Sequence, residues 1–175
     1  MIAIDRLPLA RAIGIALSLQ ERMAPHCEKL EIAGSIRRGR PSVGDIDFVC
    51  IPRDKAALKA RFAEHWRVVT DGEQNFICAR ELTDGFELQV DIFFARPATR
   101  DLLENYPSNW GSLLLCRTGS KEHNIYLVEY AKRMGLKWNP YQGVFDGSKL
   151  LASETEADIF KALDLEFVPP ERREK

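Results

Sequence analysis

The chain has 175 residues, of which 45% are hydrophobic and 29% are charged, and its formal net charge is −1. This length suits one compact domain, or one domain with a small appendage, and the composition supplies an ordinary hydrophobic core. A dedicated nucleic-acid-binding protein usually carries a clear excess of basic residues. Any contact with nucleic acid must therefore come from local patches of charge.

Cysteine usage and the lack of apolar targeting segments predict a cytoplasmic protein. None of the four cysteines belongs to a C-x-x-C pair, so their spacing fits neither a zinc site nor a disulfide framework, and we expect free, buried or half-buried thiols. Asp5 and Arg6 interrupt the N-terminal segment, which lacks the pattern of a signal peptide. No apolar run is long enough to span a membrane. The cysteines are Cys27, Cys50, Cys78 and Cys116.

The first half of the chain predicts one helix, followed by strands with a second helix inserted among them. Leu9, Ile13 and Leu17 recur every four residues and predict a helix over 7–25 with an apolar packing face, capped by Asp5. The other predicted elements here are a helix over 54–65 and strands over 29–33, 45–51, 67–70, 75–80 and 86–94.

The second half predicts helices and small strands. Ser153 and Glu156 form a capping-box pair, so a last helix should open there and run to about residue 163. The charged tail after Pro169 is expected to be loose. The other predicted elements are a loop or short helix over 96–109, helices over 110–116 and 122–134, and strands over 136–138 and 144–145. This order of elements favours an α+β fold with a central sheet.

Two predicted strands each carry an acidic face. Side chains alternate along a strand, so Asp45 and Asp47 point away from Ile46, and Asp91 points away from Val90. If the two strands are neighbours, three carboxylates converge. Clustered anions repel one another unless cations neutralise them, and Mg²⁺ with oxygen ligands does this well. Two such ions about 3.5–4 Å apart can clamp the attacking and leaving oxygens of an in-line phosphoryl displacement.

The residues before the acidic pair strengthen this interpretation, because an Asp-x-Asp pair alone is common on protein surfaces. Gly34 lets the backbone approach a phosphate closely. The Ser35 hydroxyl and the backbone amides nearby can bind phosphate oxygens. Arg37 and Arg38 supply fixed positive charge and forked hydrogen-bond donors. A nucleoside triphosphate with bound Mg²⁺ requires this combination of groups.

Three segments of the chain match a known pattern. The first is Gly-Ser-Ile-Arg-Arg over 34–38, followed after six residues by Asp-Ile-Asp over 45–47. The second is Arg-Thr-Gly-Ser-Lys-Glu-His-Asn over 117–124, and the third is Asn-Pro-Tyr-Gln-Gly-Val-Phe over 139–145. Together they resemble the family X DNA polymerases, within the polymerase-β-like nucleotidyltransferase superfamily. The resemblance extends over most of the chain from residue 34 onward.

The resemblance implies roles for the acidic residues. Asp45 and Asp47 would ligate two metal ions, Mg²⁺ with Mn²⁺ as a substitute. Asp91 would ligate the catalytic ion and lie beside the primer 3′-hydroxyl, where it could help to remove the proton of that hydroxyl.

The resemblance also implies contacts with the substrates. The residues matched to the incoming nucleotide are Gly34, Ser35, Arg38, Gly44, Cys116, Arg117, Gly119 and Asn124. The candidate contacts with DNA are Lys121, Arg96 and Arg100, and each of them is equally explained by a solvated surface.

Several positions depart from the family pattern. Cys116 and Arg117 stand where two aromatic residues usually line the sugar pocket, so exclusion of ribonucleotides is not implied. Val128 replaces an arginine that helps to check the nascent base pair, which implies low fidelity. Gln89 replaces an arginine two residues before the third aspartate. The extra sequence over 92–118 is either a substrate-contacting loop or a surface insertion.

The resemblance implies an α+β fold in two parts. A palm-like nucleotidyltransferase domain over 1–110 would hold a central mixed β-sheet flanked by helices. A small C-terminal α/β subdomain over 111–175, thumb-like or fingers-like, would select the nucleotide. No lyase domain and no helix-hairpin-helix segments are visible, so deoxyribose-phosphate lyase activity is not expected.

The leading interpretation is a metal-dependent nucleotidyltransferase, a reduced family X DNA polymerase that fills short gaps during DNA repair. Its partners would be primer-template or gapped DNA and deoxynucleoside triphosphates, with ribonucleoside triphosphates as an open alternative, and we expect a monomer without membrane contact. Nucleotide transfer to RNA, a protein or a small molecule, template-independent addition, and a non-catalytic nucleotide-binding module stay open.

Overall fold

The chain divides into two compact units. The first unit ends at Phe94 and the second begins at Ala95. The structure is a computed structural model that describes residues 6–100 and 105–174. The division into units falls after residue 94, whereas the sequence predicts a domain boundary after residue 110. The predicted helix cap Asp5 lies outside the described residues.

The first unit is built on a five-stranded mixed sheet. The strands lie in the order β2-β4-β7-β6-β5, and every neighbouring pair is antiparallel except β4 and β7, which are parallel. The elements are β1 (Leu7–Pro8), α1 (Leu9–Met23), β2 (Cys27–Ile32), α2 (Gly34–Arg37), β3 (Ser42–Val43), β4 (Asp45–Pro52), α3 (Lys55–Ala63), β5 (Arg67–Asp71), β6 (Asn75–Glu81) and β7 (Glu87–Phe94).

One face of this sheet forms the core of the first unit. Ile46 and Phe48 of β4 and Val90 and Ile92 of β7 are fully buried in one cluster with residues of α1 and α3. Their burial follows the alternation of side chains along a strand. On the opposite face, Asp45 and Asp47 begin β4 and Gln89 and Asp91 lie in β7, and the positions that follow them are the buried apolar Val49 and Phe93.

The helix α1 packs on a face that includes Leu9 and Ile13 of the predicted stripe, which contact the core, but excludes Leu17. Its buried residues are Ala12, Ala16, Leu19 and Met23, whereas Leu17 is 48% exposed. Small alanine side chains let a helix approach a sheet closely, so the packing face centres on them and leaves the larger Leu17 in solvent.

The second unit combines three helices with a small antiparallel sheet in the order β10-β11-β12. Its buried apolar cluster draws on all three helices, including Leu115, Leu127 and Phe160. The elements are β8 (Thr99–Arg100), β9 (Asn105–Tyr106), α4 (Trp110–Thr118), α5 (Lys121–Arg133), β10 (Lys137–Asn139), β11 (Gly143–Asp146), β12 (Lys149–Ala152) and α6 (Glu156–Ala162).

Two predictions for the C-terminal part of the chain were wrong. The cap of α6 is Thr155, whose hydroxyl accepts a hydrogen bond from the Asp158 backbone N–H at 3.0 Å; Ser153 lies too early to reach the first turn. The tail after Pro169 is docked rather than loose, because the Arg173 side chain is 0% exposed. A buried carboxylate and two aromatic rings supply the environment that this arginine needs.

Two expectations from composition can be compared with the structure. The four cysteines are free thiols, three of them buried and Cys116 half-buried, which confirms that part of the prediction. Among the helices of residues 6–100 and 105–174, none is both long and apolar enough to span a membrane.

Candidate functional site

The parallel pairing of β4 and β7 brings the three predicted carboxylates together. Asp45 lies in register with Gln89, and Asp47 lies in register with Asp91. One carboxylate oxygen from each of Asp45, Asp47 and Asp91 lies within 4.8 Å of the others. The convergence follows from the sequence pattern, because residues in register on neighbouring strands project to the same face of a sheet.

The three carboxylates are half-buried on this face. The Gln89 side-chain amide donates a hydrogen bond to the Asp91 carboxylate at 2.8 Å, so the residue noted as a departure from the family pattern holds Asp91 in place. Burial raises the pKa of the neighbouring Cys78 thiol to about 12, and the Asp91 charge adds to this shift.

Gly34 packs directly against this cluster. Its φ is +58°, and a Cβ atom at this position would lie 1.8 Å from the Asp47 carboxylate oxygen Oδ2. The backbone of the preceding residue is also bound to β4, since the Ala33 N–H donates to the Asp47 carbonyl at 2.8 Å. Only glycine satisfies both the left-handed backbone and this close approach.

Ser35 lies in the short helix α2, and Arg38 directly follows it. The Ser35 hydroxyl oxygen is buried and has no hydrogen-bond partner among the described residues, although a buried hydroxyl normally has one. The Arg38 side chain is half-buried, as is Gly44, which lies directly before β4. These three residues can present a hydroxyl, a guanidinium and a backbone amide to an anion.

The donor set fits a hard divalent cation. Within residues 6–100 and 105–174, the three aspartates are the one group of acidic, histidine or cysteine side chains with three converging ligand atoms. Carboxylate oxygens are the ligands that Mg²⁺ prefers, and Mg²⁺ usually combines a few carboxylates with water and phosphate oxygens. The buried Ser35 hydroxyl without a partner is consistent with a phosphate oxygen in that vicinity.

The second unit holds the remaining predicted nucleotide-binding residues at the junction of α4 and α5. Gly119 ends α4 with a φ of +72°, and Ser120 opens α5 because its hydroxyl accepts from the His123 backbone N–H at 3.2 Å. The Asn124 amide donates to the Cys116 carbonyl at 2.8 Å. The amide oxygen of Asn124 is buried without a partner in the described part of the chain.

Cys116 and Arg117 occupy the end of α4. Burial raises the pKa of the Cys116 thiol, and the Arg117 charge partly offsets this shift. The Arg117 guanidinium donates to the Tyr141 hydroxyl, and its central carbon lies 5.4 Å from the centre of the Tyr141 ring. Tyr141 belongs to the third matched segment, but its contact with Arg117 could not be derived from spacing in the sequence.

The candidate DNA contacts differ in their surroundings. Lys121 is exposed in the first turn of α5. Arg96 is exposed, donates to the Pro107 carbonyl at 3.4 Å and lies over the Tyr106 ring at 5.9 Å. The side chain of Arg100 lies outside the described residues, although its backbone belongs to β8.

The first unit combines a mixed sheet, flanking helices and acidic residues on a parallel strand pair, which is the arrangement of a polymerase-β-like fold. In the second unit, a family model for the DNA polymerase beta thumb matches residues 113–174, which supports the same fold.

A curated relative extends this match to nearly the whole chain. The chain is 27% identical over 177 residues to the DNA polymerase/3′-5′ exonuclease PolX of Bacillus subtilis (strain 168), an alignment that includes 97% of this chain. The chain spans 29% of the length of that relative. Together, these matches support a family X DNA polymerase-like protein.

Proposed function

We propose that the protein is a metal-dependent nucleotidyltransferase that adds a nucleotide to the 3′-hydroxyl of a DNA primer, and that it fills short gaps during DNA repair. The observation that carries this proposal is the convergence of Asp45, Asp47 and Asp91 to within 4.8 Å on a parallel strand pair. The similarity to a DNA polymerase supports the choice of reaction and of acceptor.

The three aspartates would hold two Mg²⁺ ions, or Mn²⁺ in their place. Asp45 and Asp47 would contact both ions, and Asp91 would contact one of them. When bound, such ions polarise phosphoryl oxygens and stabilise the charge that develops on the attacking and leaving oxygens. The hydrogen bond from Gln89 would keep the Asp91 carboxylate oriented.

The remaining residues of the first unit would bind the triphosphate. Ser35 would donate its hydroxyl hydrogen to a phosphate oxygen, which would satisfy a buried group that lacks a partner. Arg38 would offset the phosphate charge, and the glycine backbones at Gly34 and Gly44 would let phosphate oxygens approach the main chain closely.

The reaction would join the primer 3′-oxygen to the α-phosphorus of the incoming nucleotide and release pyrophosphate. Asp91 would accept the proton of the 3′-hydroxyl, since a carboxylate within hydrogen-bond reach can act as a general base. In the second unit, Gly119 and Asn124 would contact the sugar and base of the nucleotide. The buried amide oxygen of Asn124 without a partner supports this role.

Primer extension tests the proposal directly. Purified protein with Mg²⁺ would be given single-nucleotide-gapped DNA and each deoxynucleotide separately, beside a template-free control. We expect insertion opposite the matching template base. The proposal would be contradicted if a protein that circular dichroism shows to be folded incorporates no nucleotide with either Mg²⁺ or Mn²⁺.

A second candidate function keeps the chemistry and changes the acceptor. A net charge of −1 means that the chain lacks the excess of basic residues that binding to DNA phosphates usually requires. Cys116 and Arg117 also stand at the expected sugar pocket, where the family pattern has aromatic residues. The second candidate reaction is therefore nucleotide transfer to RNA, to a protein or to a small molecule, or template-independent addition to DNA. Parallel reactions with ribonucleotides, RNA primers and template-free DNA distinguish these acceptors.

A further inference from the structure

We propose that Arg173 is a positioning residue for the turn 118–120, which carries the nucleotide-facing Gly119. The proposal rests on the proposed function for the role of this turn, but its structural part stands on contacts within the second unit alone.

The backbone of the turn is tied to Arg173. The Gly119 N–H donates to the Leu115 carbonyl at 3.1 Å and so ends α4, and the Asn124 N–H donates to the Ser120 carbonyl at 3.0 Å as α5 begins. The Ser120 N–H, which lies between these helical contacts, donates to the Arg173 carbonyl at 3.0 Å. The C-terminal segment thus holds the turn at the residue that links the two helices.

The Arg173 side chain is itself fixed on several sides. One terminal nitrogen lies 2.6 Å from a Glu156 carboxylate oxygen, and Nε donates to the Val168 carbonyl at 2.7 Å. The guanidinium carbon lies 5.6 Å from the centre of the Phe160 ring and 5.4 Å from that of Phe167. A buried charge with this many fixed contacts cannot move without leaving Glu156 unpaired, so the backbone carbonyl of Arg173 is held as well.

His123 shows that the buried pair faces the start of α5. Its ring is 4% exposed and lies 5.8 Å from the Phe160 ring, centre to centre. Burial, followed by the Arg173 charge, lowers the pKa of His123 to about 4, although Glu156 acts in the opposite direction. The imidazole is therefore neutral at neutral pH, and Glu156 remains paired with Arg173. Asn124 directly follows His123. The placement of Gly119 and Asn124 therefore depends on how the C-terminal segment with Arg173 docks.

Amide hydrogen exchange measured by NMR, without nucleotide, tests the structural part. In Arg173→Ala the Ser120 amide should exchange at least ~10-fold faster than in the wild type, whereas the Leu127 and Ala131 amides inside α5 should be unchanged. Arg172→Ala is the matched control, because Arg172 is exposed and adjacent. If Arg173→Ala fails to fold, Glu156→Gln replaces it, since this variant keeps a hydrogen-bond acceptor and removes the charge of the partner.

Steady-state kinetics test the positioning role. We expect KM for the incoming nucleotide to rise about 10-fold in Arg173→Ala with kcat within about twofold, and Arg173→Lys to restore part of the loss. A purely structural role would instead reduce the fraction of active protein, which lowers kcat and leaves KM unchanged.

Three outcomes separate the possibilities. An unchanged Ser120 exchange rate in a folded Arg173 variant would overturn the proposal, and so would an unchanged KM. Faster Ser120 exchange in a protein that incorporates no nucleotide would uphold the link between Arg173 and the turn while contradicting the proposed function.

Discussion

The two units position their candidate residues in different ways. In the first unit, the aspartates stand on paired strands, and the register of β4 with β7 determines their separation. In the second unit, Gly119 lies in a turn whose geometry depends on Arg173, a residue far away in the sequence. A sheet therefore specifies a site through local periodicity, whereas a turn between helices specifies one only with the help of remote buried contacts.

The largest expected effect is at the strand-borne site. Asp91→Asn should reduce nucleotide incorporation by about 10³-fold or more, because a bound metal ion contributes several kcal/mol of transition-state stabilisation and each 1.36 kcal/mol is tenfold in rate. Glu87→Gln is the control, since Glu87 lies on the same face of the same strand and is exposed. The measurement is single-turnover extension of gapped DNA. Comparable rates in the two variants would contradict the catalytic role proposed for Asp91.

A substitution at Gly34 tests how closely the turn packs on the carboxylates. Gly34→Ala should lower incorporation at least about tenfold, because the new Cβ would displace the Asp47 carboxylate and 1.36 kcal/mol already corresponds to tenfold. Gly39→Ala is matched to it, since Gly39 has a φ of +70° and open space around its Cβ position. Both variants carry the backbone cost of roughly 1–2 kcal/mol, so only the difference between their rates reports the contact with Asp47.

The second unit should respond to pH through His123. The lowered pKa, about 4 in the fold, means that the unfolded chain binds a proton between pH 6.5 and pH 4 while the folded chain does not. Stability is therefore complete above pH 6.5 and falls as the pH drops, by up to about 3 kcal/mol at pH 4.

Denaturant unfolding at several pH values measures this contribution. The stability difference between the wild type and His123→Leu should shrink by that amount as the pH falls from 6.5 to 4. Ile125→Leu, at an exposed and uncharged position of the same helix, should keep the wild-type profile. A constant difference between the wild type and His123→Leu would show that His123 does not resist protonation.

The smallest expected effect is at Ser35. Removal of one hydrogen bond to a charged phosphate by Ser35→Ala should raise KM for the nucleotide roughly 10-fold, given about 1.5 kcal/mol for such a bond. Folding stability should not fall, because the buried hydroxyl has no partner within the described residues. Ser42→Ala on β3 provides the comparison. A drop in stability with unchanged KM would assign Ser35 a purely structural role.

Much of the first unit could be predicted from the sequence. The alternation in β4 and β7 predicts the buried face with Ile46 and Val90 and the acidic face with Asp47 and Asp91, and the structure shows both. The packing stripe of α1 was predicted only in part: Leu9 and Ile13 contact the core, but periodicity in large residues does not reveal that Leu17 is exposed and that two alanines are buried. That the aspartates bind metal stays a prediction.

Less of the second unit could be predicted from the sequence. The matched segment at 117–124 identified the turn, but nothing in the spacing of Glu156 and Arg173 indicates that they form a buried ion pair. His123, within the same segment, is buried against Phe160. Pairing of this kind depends on how the tail docks, which a local pattern does not encode.

The parallel pairing of β4 and β7 also has a thermodynamic consequence. Asp47 and Asp91 are more than about 40 positions apart in the sequence, so their charges are far apart in the unfolded chain. Formation of the sheet brings these charges together. A divalent cation that binds this cluster binds the folded chain only, so it stabilises the fold by an amount that grows with the logarithm of its concentration. The melting temperature of the first unit, measured at increasing concentrations of the cation, would then report the occupancy of the site.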